Sequence, residues 1–184
     1  MSAFVIEHLE PRVWPWCILE YTHIARVVGR KNLLITNTKN KKLGMIAKTS
    51  AKSVTQLTIP NACILDPAAP KQLTPKEART FDYFVFGGIL GDYPPKQRTK
   101  KELGNVKGER RNLGKEQMST DTAVLVVAEI VKGKHFKKMT FQDEITIPIR
   151  TGEEIILPYR YLVRNKKPVL PSGLLHYLRS KKGF

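Results

Sequence analysis

Four short apolar runs recur through the first ninety residues: "AFVIEH" at 3–8, "NLLITN" at 32–37, "ACILDP" at 62–67 and "YFVFGG" at 83–88. Each is too short for a buried helix and reads as a strand, the last of the kind buried on both faces. Helical patterns alternate with them. In "PWCILEYTHIARVVG" the residues Ile18, Tyr21, Ile24, Ala25 and Val28 recur at three- and four-residue intervals, with Pro15 near the start and Gly29 as a stop. "LTPKEARTF" holds a capping box from Thr74 to Glu77, with Pro75 at the first helical position. A strong helix is predicted from Ser119 or Thr120 through "DTAVLVVAEIV" to Gly133. "EEIILPYRYLV" reads as a late strand interrupted at Pro158, and "PSGLLHYLRSKK" as a terminal helix. The basic segment from Thr38 to Ser53 reads as a loop with a short helix. Strand alternating with helix predicts an α/β fold with a largely parallel sheet and helices on both faces. Without a repeat or a long linker, one domain is expected over residues 1–184.

Charge narrows the partner. The 184-residue chain carries a net charge of +16. Between Glu20 and Asp66 there is no acid but eight cations: Arg26, Arg30, Lys31, Lys39, Lys41, Lys42, Lys48 and Lys52. Seven more follow Glu154 with no acid among them. Single-sign blocks favour phosphate-rich partners through counterion release, so RNA, or something seated on RNA, is the expected neighbour. Cys17 and Cys63 form no CxxC pair and fit buried thiols in a reducing cytoplasm, and the four histidines lack metal-ligand spacing. No apolar run approaches the ~20 residues that span a bilayer, and the N-terminus lacks a signal-peptide pattern.

The segment "FDYFVFGGILGDYPPKQRT" at 81–99 concentrates Gly87, Gly88 and Gly91 at a strand end. Ligands bind beyond the carboxyl ends of parallel strands, and glycine lets backbone approach a ligand closely. The GGxxG spacing is neither a dinucleotide nor a phosphate-loop motif, and by spacing alone it is equally a tight turn. A polar connection of about 25 residues, Ile89 to Lys115, follows it; ordinary connections are far shorter.

"FDYFVFGGILGDYPPKQRT", then "RRNLGKEQMSTDTAV" and "LPYRY", resembles the SPOUT-class methyltransferases of the fungal protein-arginine methyltransferase type, whose archaeal relatives are described as RNA methyltransferases. "FVIEHLEP" near the start and "KPVLPSGLL" near the end extend the likeness to almost the whole chain; it is least over Thr38 to Pro60. The resemblance implies a deep C-terminal trefoil knot and S-adenosylmethionine held by three strand-end loops. Carried onto this sequence, these are Leu65, Asp66 and Pro67; Gly87, Gly88, Ile89, Leu90 and Gly91, up to Asp92; and the loop from Leu113 and Gly114 to Gln117, Met118, Ser119 and Thr120. It further implies an arginine of a ribosomal protein as acceptor, with a monomer or a homodimer both open.

An arginine guanidinium is cationic and attacks poorly, so a carboxylate is needed to orient it and accept its proton. Asp92 is the first candidate; Glu20, Glu116 and Asp121 follow. Asp121 would equally complement a helix dipole, and Asp66 and Asp92 would equally cap their own turns. If RNA is the acceptor, Arg160, Arg110 and Arg111 would bind phosphate, and Tyr93, Tyr159 or Tyr161 would stack on bases. A strand packing role serves these tyrosines as well, and Met118 either touches cofactor or fills core. A non-catalytic RNA- or ribosome-binding protein is the remaining alternative.

Overall fold

The computed structural model describes residues 2–90 and 101–180. Its centre is a six-stranded, wholly parallel sheet built from β1 (Ala3–His8), β2 (Leu33–Thr36), β3 (Lys48–Thr49), β4 (Ala62–Leu65), β5 (Tyr83–Gly88) and β6 (Glu109–Arg111), in the order β3-β2-β1-β5-β4-β6. The four apolar runs are therefore the four central strands. Alternation along each strand splits the core in two, because successive side chains point to opposite faces. Phe4, Ile6, Phe84 and Phe86 face one side, where they pack with α1 (Pro15–Val28) and α4 (Thr120–Val131). Val5, Ile64 and Val85 face the other side, closed among the described residues by Val54, Leu103 and Val106. Burying a side chain such as Phe84, which has no exposed surface, contributes about 1.5–3 kcal/mol.

The short helices α2 (Lys41–Gly44) and α3 (Pro75–Ala78) lie where the sequence put them. Both halves of the capping box form: the Thr74 hydroxyl accepts from the Glu77 amide, and the Glu77 carboxylate accepts from the Thr74 amide. Helix α1 ends at Gly29, whose φ of +84° permits its amide to donate to Ala25 O at 3.0 Å.

A second sheet departs from the sequence reading. β7 (Thr140–Arg150), β8 (Glu153–Arg164) and β9 (Lys167–Pro168) form an antiparallel unit, and α5 (Leu174–Ser180) follows it. Strand β8 runs unbroken through Pro158. The ladder shifts register between Asp143–Arg160 and Ile145–Leu157, where Pro158 and Tyr159 stand against Glu144 alone, so the proline sits in a bulge of β8 where its missing N–H is not required. Ile147, Leu157, Tyr161 and Leu178 make a third core cluster against Trp16 and Leu19 of α1. The 25-residue connection also contains β6, a strand of sequence "ERR" that no hydrophobic pattern announces. Its charges are matched locally. Arg111 pairs with Glu77 at 2.9 Å and Glu109 at 2.6 Å, and Arg110 pairs with Asp66 at 3.2 Å.

Among the described residues no helix is long and apolar enough to cross a membrane, and no group of three or more His, Cys, Asp or Glu could hold a metal ion. Cys17 and Cys63 are buried and unpaired, and burial above all pushes both thiols up to about 12.

Candidate active site

Strands β5, β4 and β6 are neighbours and parallel, so their carboxyl ends bring the loops after Gly88, Leu65 and Arg111 to one edge of the sheet. Three loops far apart in sequence thus converge where ligands bind in such sheets. Asn112, which the sequence reading passed over, knits the first loop to the third. Its amide donates to Lys71 O at 2.8 Å, and its side-chain NH2 donates to Ala69 O at 2.7 Å. Its side-chain oxygen accepts from Gly114 N at 2.9 Å, and Gly114 takes a φ of +91°. The Thr120 hydroxyl, at the start of α4, lies 3.2 and 3.1 Å from Gly87 O and Ile89 O and joins the third loop to the second. Leu90 N donates to Glu10 Oε1 at 3.2 Å.

Two buried side-chain atoms among the described residues have no hydrogen-bond partner, His8 Nε2 and Gln117 Oε1. Both belong to this edge. His8 ends β1 and pairs in register with Gly88, and Gln117 lies in the third loop. Leaving such atoms unmatched costs about 1–3 kcal/mol each, so an edge that collects them points to a ligand. Burial holds the His8 imidazole below its ordinary pKa, and its Nδ1 stands 2.9 Å from the Tyr21 hydroxyl.

Gly88 has a reason for its bareness within the fold itself: a Cβ there would lie 2.5 Å from Tyr21 Oη, 2.8 Å from Ile6 Cγ2 and 2.9 Å from Glu7 O. This crowding comes from inside the protein.

A second constellation adjoins the third loop. Glu20 on α1 and Asp121 in the first turn of α4 are buried, at 4% and 1% exposure. The Trp16 indole donates to Glu20 Oε1 at 3.0 Å. Asp121 Oδ2 lies 3.0 Å from His23 Nδ1, and Asp121 Oδ1 accepts from the Ser119 hydroxyl at 2.7 Å. Glu20 titrates well above the usual carboxylate range, first because it is buried and next because the Asp121 charge is near; the Trp16 hydrogen bond opposes both. The Tyr161 hydroxyl is likewise pushed up, by burial first and then by Asp121 and Glu20. Two buried acids that feel each other's charge, with only His23 on one of them and no Lys or Arg among the described residues, form a site that favours a positive group.

The other candidates fall into distinct places. Asp66 caps its own turn, accepting from Ala68 N at 2.9 Å. Its other oxygen binds Arg110, whose guanidinium also donates to Leu103 O at 2.7 Å. Arg111 is buried in its ion pairs. Arg160 is held on Asp143 at 2.5 and 2.8 Å. These three guanidiniums are committed within the chain, which leaves them poor phosphate ligands, contrary to expectation. Tyr159 and Tyr161 lie in the third core cluster, at 9% and 2% exposure, where no base can stack on them. Leu65 and Leu113 are buried at the loop roots, and Met118 packs against the main core while bridging to Arg160. Glu116 is exposed. Gly91, Asp92 and Tyr93 lie outside the described residues.

A model of the family "Protein arginine N-methyltransferase SFM1-like" matches residues 3–183. The chain is 37% identical to protein arginine N-methyltransferase SFM1 of Saccharomyces cerevisiae, over 96% of this chain and 93% of that protein. The yeast arginine methyltransferase SFM1 complexed with SAM superposes with a TM-score of 0.87 at 35% identity, covering 97% of this chain and 90% of that one. A Trm10 structure from Thermococcus kodakaraensis shares the fold, with a TM-score of 0.62 at 17% identity over 75% of this chain and 96% of that chain.

Proposed function

This chain belongs to the SFM1-like family of protein arginine N-methyltransferases, and from that premise we propose that it methylates an arginine of a ribosomal protein. It is an S-adenosylmethionine-dependent methyltransferase. The observation that carries an arginine acceptor, as against a nucleotide, is the buried Glu20–Asp121 pair beside the third loop, two acids with no Lys or Arg against them among the described residues and only His23 on Asp121.

S-adenosylmethionine supplies a methyl on a sulfonium that is already electrophilic, so the chain's own work is to bind, align and keep out water. Leu65, Asp66 and Pro67, Gly87 to Leu90, and Leu113, Gly114 and Gln117 to Thr120 are the residues that would hold it. The unpartnered Gln117 Oε1 offers an acceptor, and Thr120 fixes the second loop. A substrate guanidinium entering beside Glu20 and Asp121 would favour the ionised form of Glu20, whose carboxylate would fix its plane. As one guanidinium nitrogen forms its bond to the methyl carbon, the sulfur–methyl bond would break and S-adenosylhomocysteine would leave, while the nitrogen's proton passes to a carboxylate, for which the raised Glu20 is suited. The expected trefoil knot would bring the second and third loops together. The unpaired buried thiols fit work in the cytoplasm.

The test uses radiolabelled S-adenosylmethionine, the purified enzyme and ribosomes from a strain lacking it. The sample is then split between protease and nuclease. Label released only by protease supports the arginine acceptor, and label released only by nuclease overturns it.

A further inference from the structure

The eight cations between Glu20 and Asp66 are all exposed, and none has a carboxylate partner among the described residues. Those from Arg30 to Lys52 flank β2 and β3, on the side of the sheet opposite β6. A cavity of about 410 Å³ opens there, and its lining includes Arg30, Lys31 and Lys48 but no acid. Arg30 helps to shape it by donating to Ile46 O at 3.1 Å. Met45, beside the groove, is 74% exposed, the most exposed large apolar side chain among the described residues. Elsewhere this protein matches its arginines to acids, as at Arg110, Arg111 and Arg160. The β3 edge is left unmatched.

We propose that this edge is a docking surface for RNA, separate from the methyl-transfer site. Unpaired cations around a groove bind phosphates by releasing counterions, and an exposed thioether and the lysine stems offer apolar surface to sugars and bases. Strands about 4.8 Å apart put β3 roughly 15–20 Å from the ends of β5 and β4. That distance suits an enzyme that grips RNA while working on a protein bound to it. The arrangement also resolves a conflict in charge: a net +16 surface repels a free cationic peptide but attracts that peptide's RNA scaffold. The inference rests on the arginine reading for its biological sense, but not for its test.

The test is fluorescence anisotropy of a labelled ribosomal-RNA hairpin with the full chain, titrated over a range of salt. The fourfold variant Lys31→Glu, Lys41→Glu, Lys42→Glu, Lys48→Glu is compared with the matching Lys→Arg variant. The docking surface predicts that charge reversal weakens binding more than tenfold and lowers the salt slope by about four, while Lys→Arg keeps both. Equal binding by wild type and the reversal variant overturns it. So does wild type that binds no RNA, or that prefers phosphatidylserine vesicles to the hairpin. Melting temperature and calorimetric S-adenosylmethionine binding should be unchanged in the reversal variant. Loss of cofactor heat in wild type would instead count against the methyltransferase reading, so the two failures are distinguishable.

Discussion

The Tyr21 hydroxyl stands 2.5 Å from where a Cβ on Gly88 would be, and 2.9 Å from His8 Nδ1. One hydroxyl therefore holds a neutral buried histidine and blocks any side chain at the end of β5. Gly88→Ala is expected to cost about 1–3 kcal/mol through overpacking. For a chain of this size that lowers the melting temperature by roughly 2–4 °C per kcal/mol. Tyr21→Phe in the same chain should recover part of the loss, since Ile6 and Glu7 crowd the position as well. A Gly88→Ala protein that melts like wild type yet no longer binds cofactor would return the glycine to the ligand.

Glu20 gives stability a pH dependence of known sign. Its folded pKa is raised above the ordinary 4.5, so between these two values the folded chain holds a proton that the unfolded chain has lost. Stability therefore falls as pH rises through that window. Glu20→Gln should flatten the fall, and urea midpoints at pH 4.5 and 8 would show it. The same variant should lower arginine methylation by about two to four orders of magnitude, the worth of one general base. Parallel pH curves for both proteins would show that Glu20 is not the group responsible.

Thr120→Val removes the hydroxyl shared by Gly87 O and Ile89 O. S-adenosylmethionine affinity should drop about tenfold, the scale of one net hydrogen bond of about 1–1.5 kcal/mol. The melting temperature should move by only a few degrees. Calorimetry on the pure protein reads the affinity, and unaltered binding would separate Thr120 from the second loop's role.

Arg111→Ala should be the most damaging charge change. It leaves Glu77 and Glu109 without their cation and empties a buried position, at about 2–4 kcal/mol. Glu109→Ala, at an exposed position, should cost under about 1 kcal/mol. Similar denaturation midpoints for the two variants would refute a structural role for Arg111.

What the sequence made legible follows from how each element is stabilised. The central strands and α1 rest on apolar patterning, and α3 on a local capping box, so all could be read directly. Strand β6 could not, because "ERR" is tolerated only through Glu77 and Asp66, more than thirty residues away. Strand β7 interrupts its apolar alternation with Asp143 and Glu144, where φ of Glu144 is +63° and β8 bulges at Pro158. Asp121 read as a helix-dipole acid; its proximity to Glu20 and His23 exists only once α1 and α4 pack. Of the residues offered to RNA, Arg110, Arg111 and Arg160 belong to internal ion pairs and Tyr159 and Tyr161 to a core cluster, whereas the lysines of the β3 edge stay open.

The position of β1 in the sheet sets a condition on synthesis. Residues 3–8 are the first strand made, yet their partners are β2 and β5, whose last paired residue is Gly88. At 5–20 residues per second, about eighty residues take roughly 4–16 s to follow. Through that interval an apolar strand has at least one free edge, since β2 can cover only the other. A nascent chain stalled before Tyr83 should therefore be held by chaperones, and one released after Gly88 should close its own sheet.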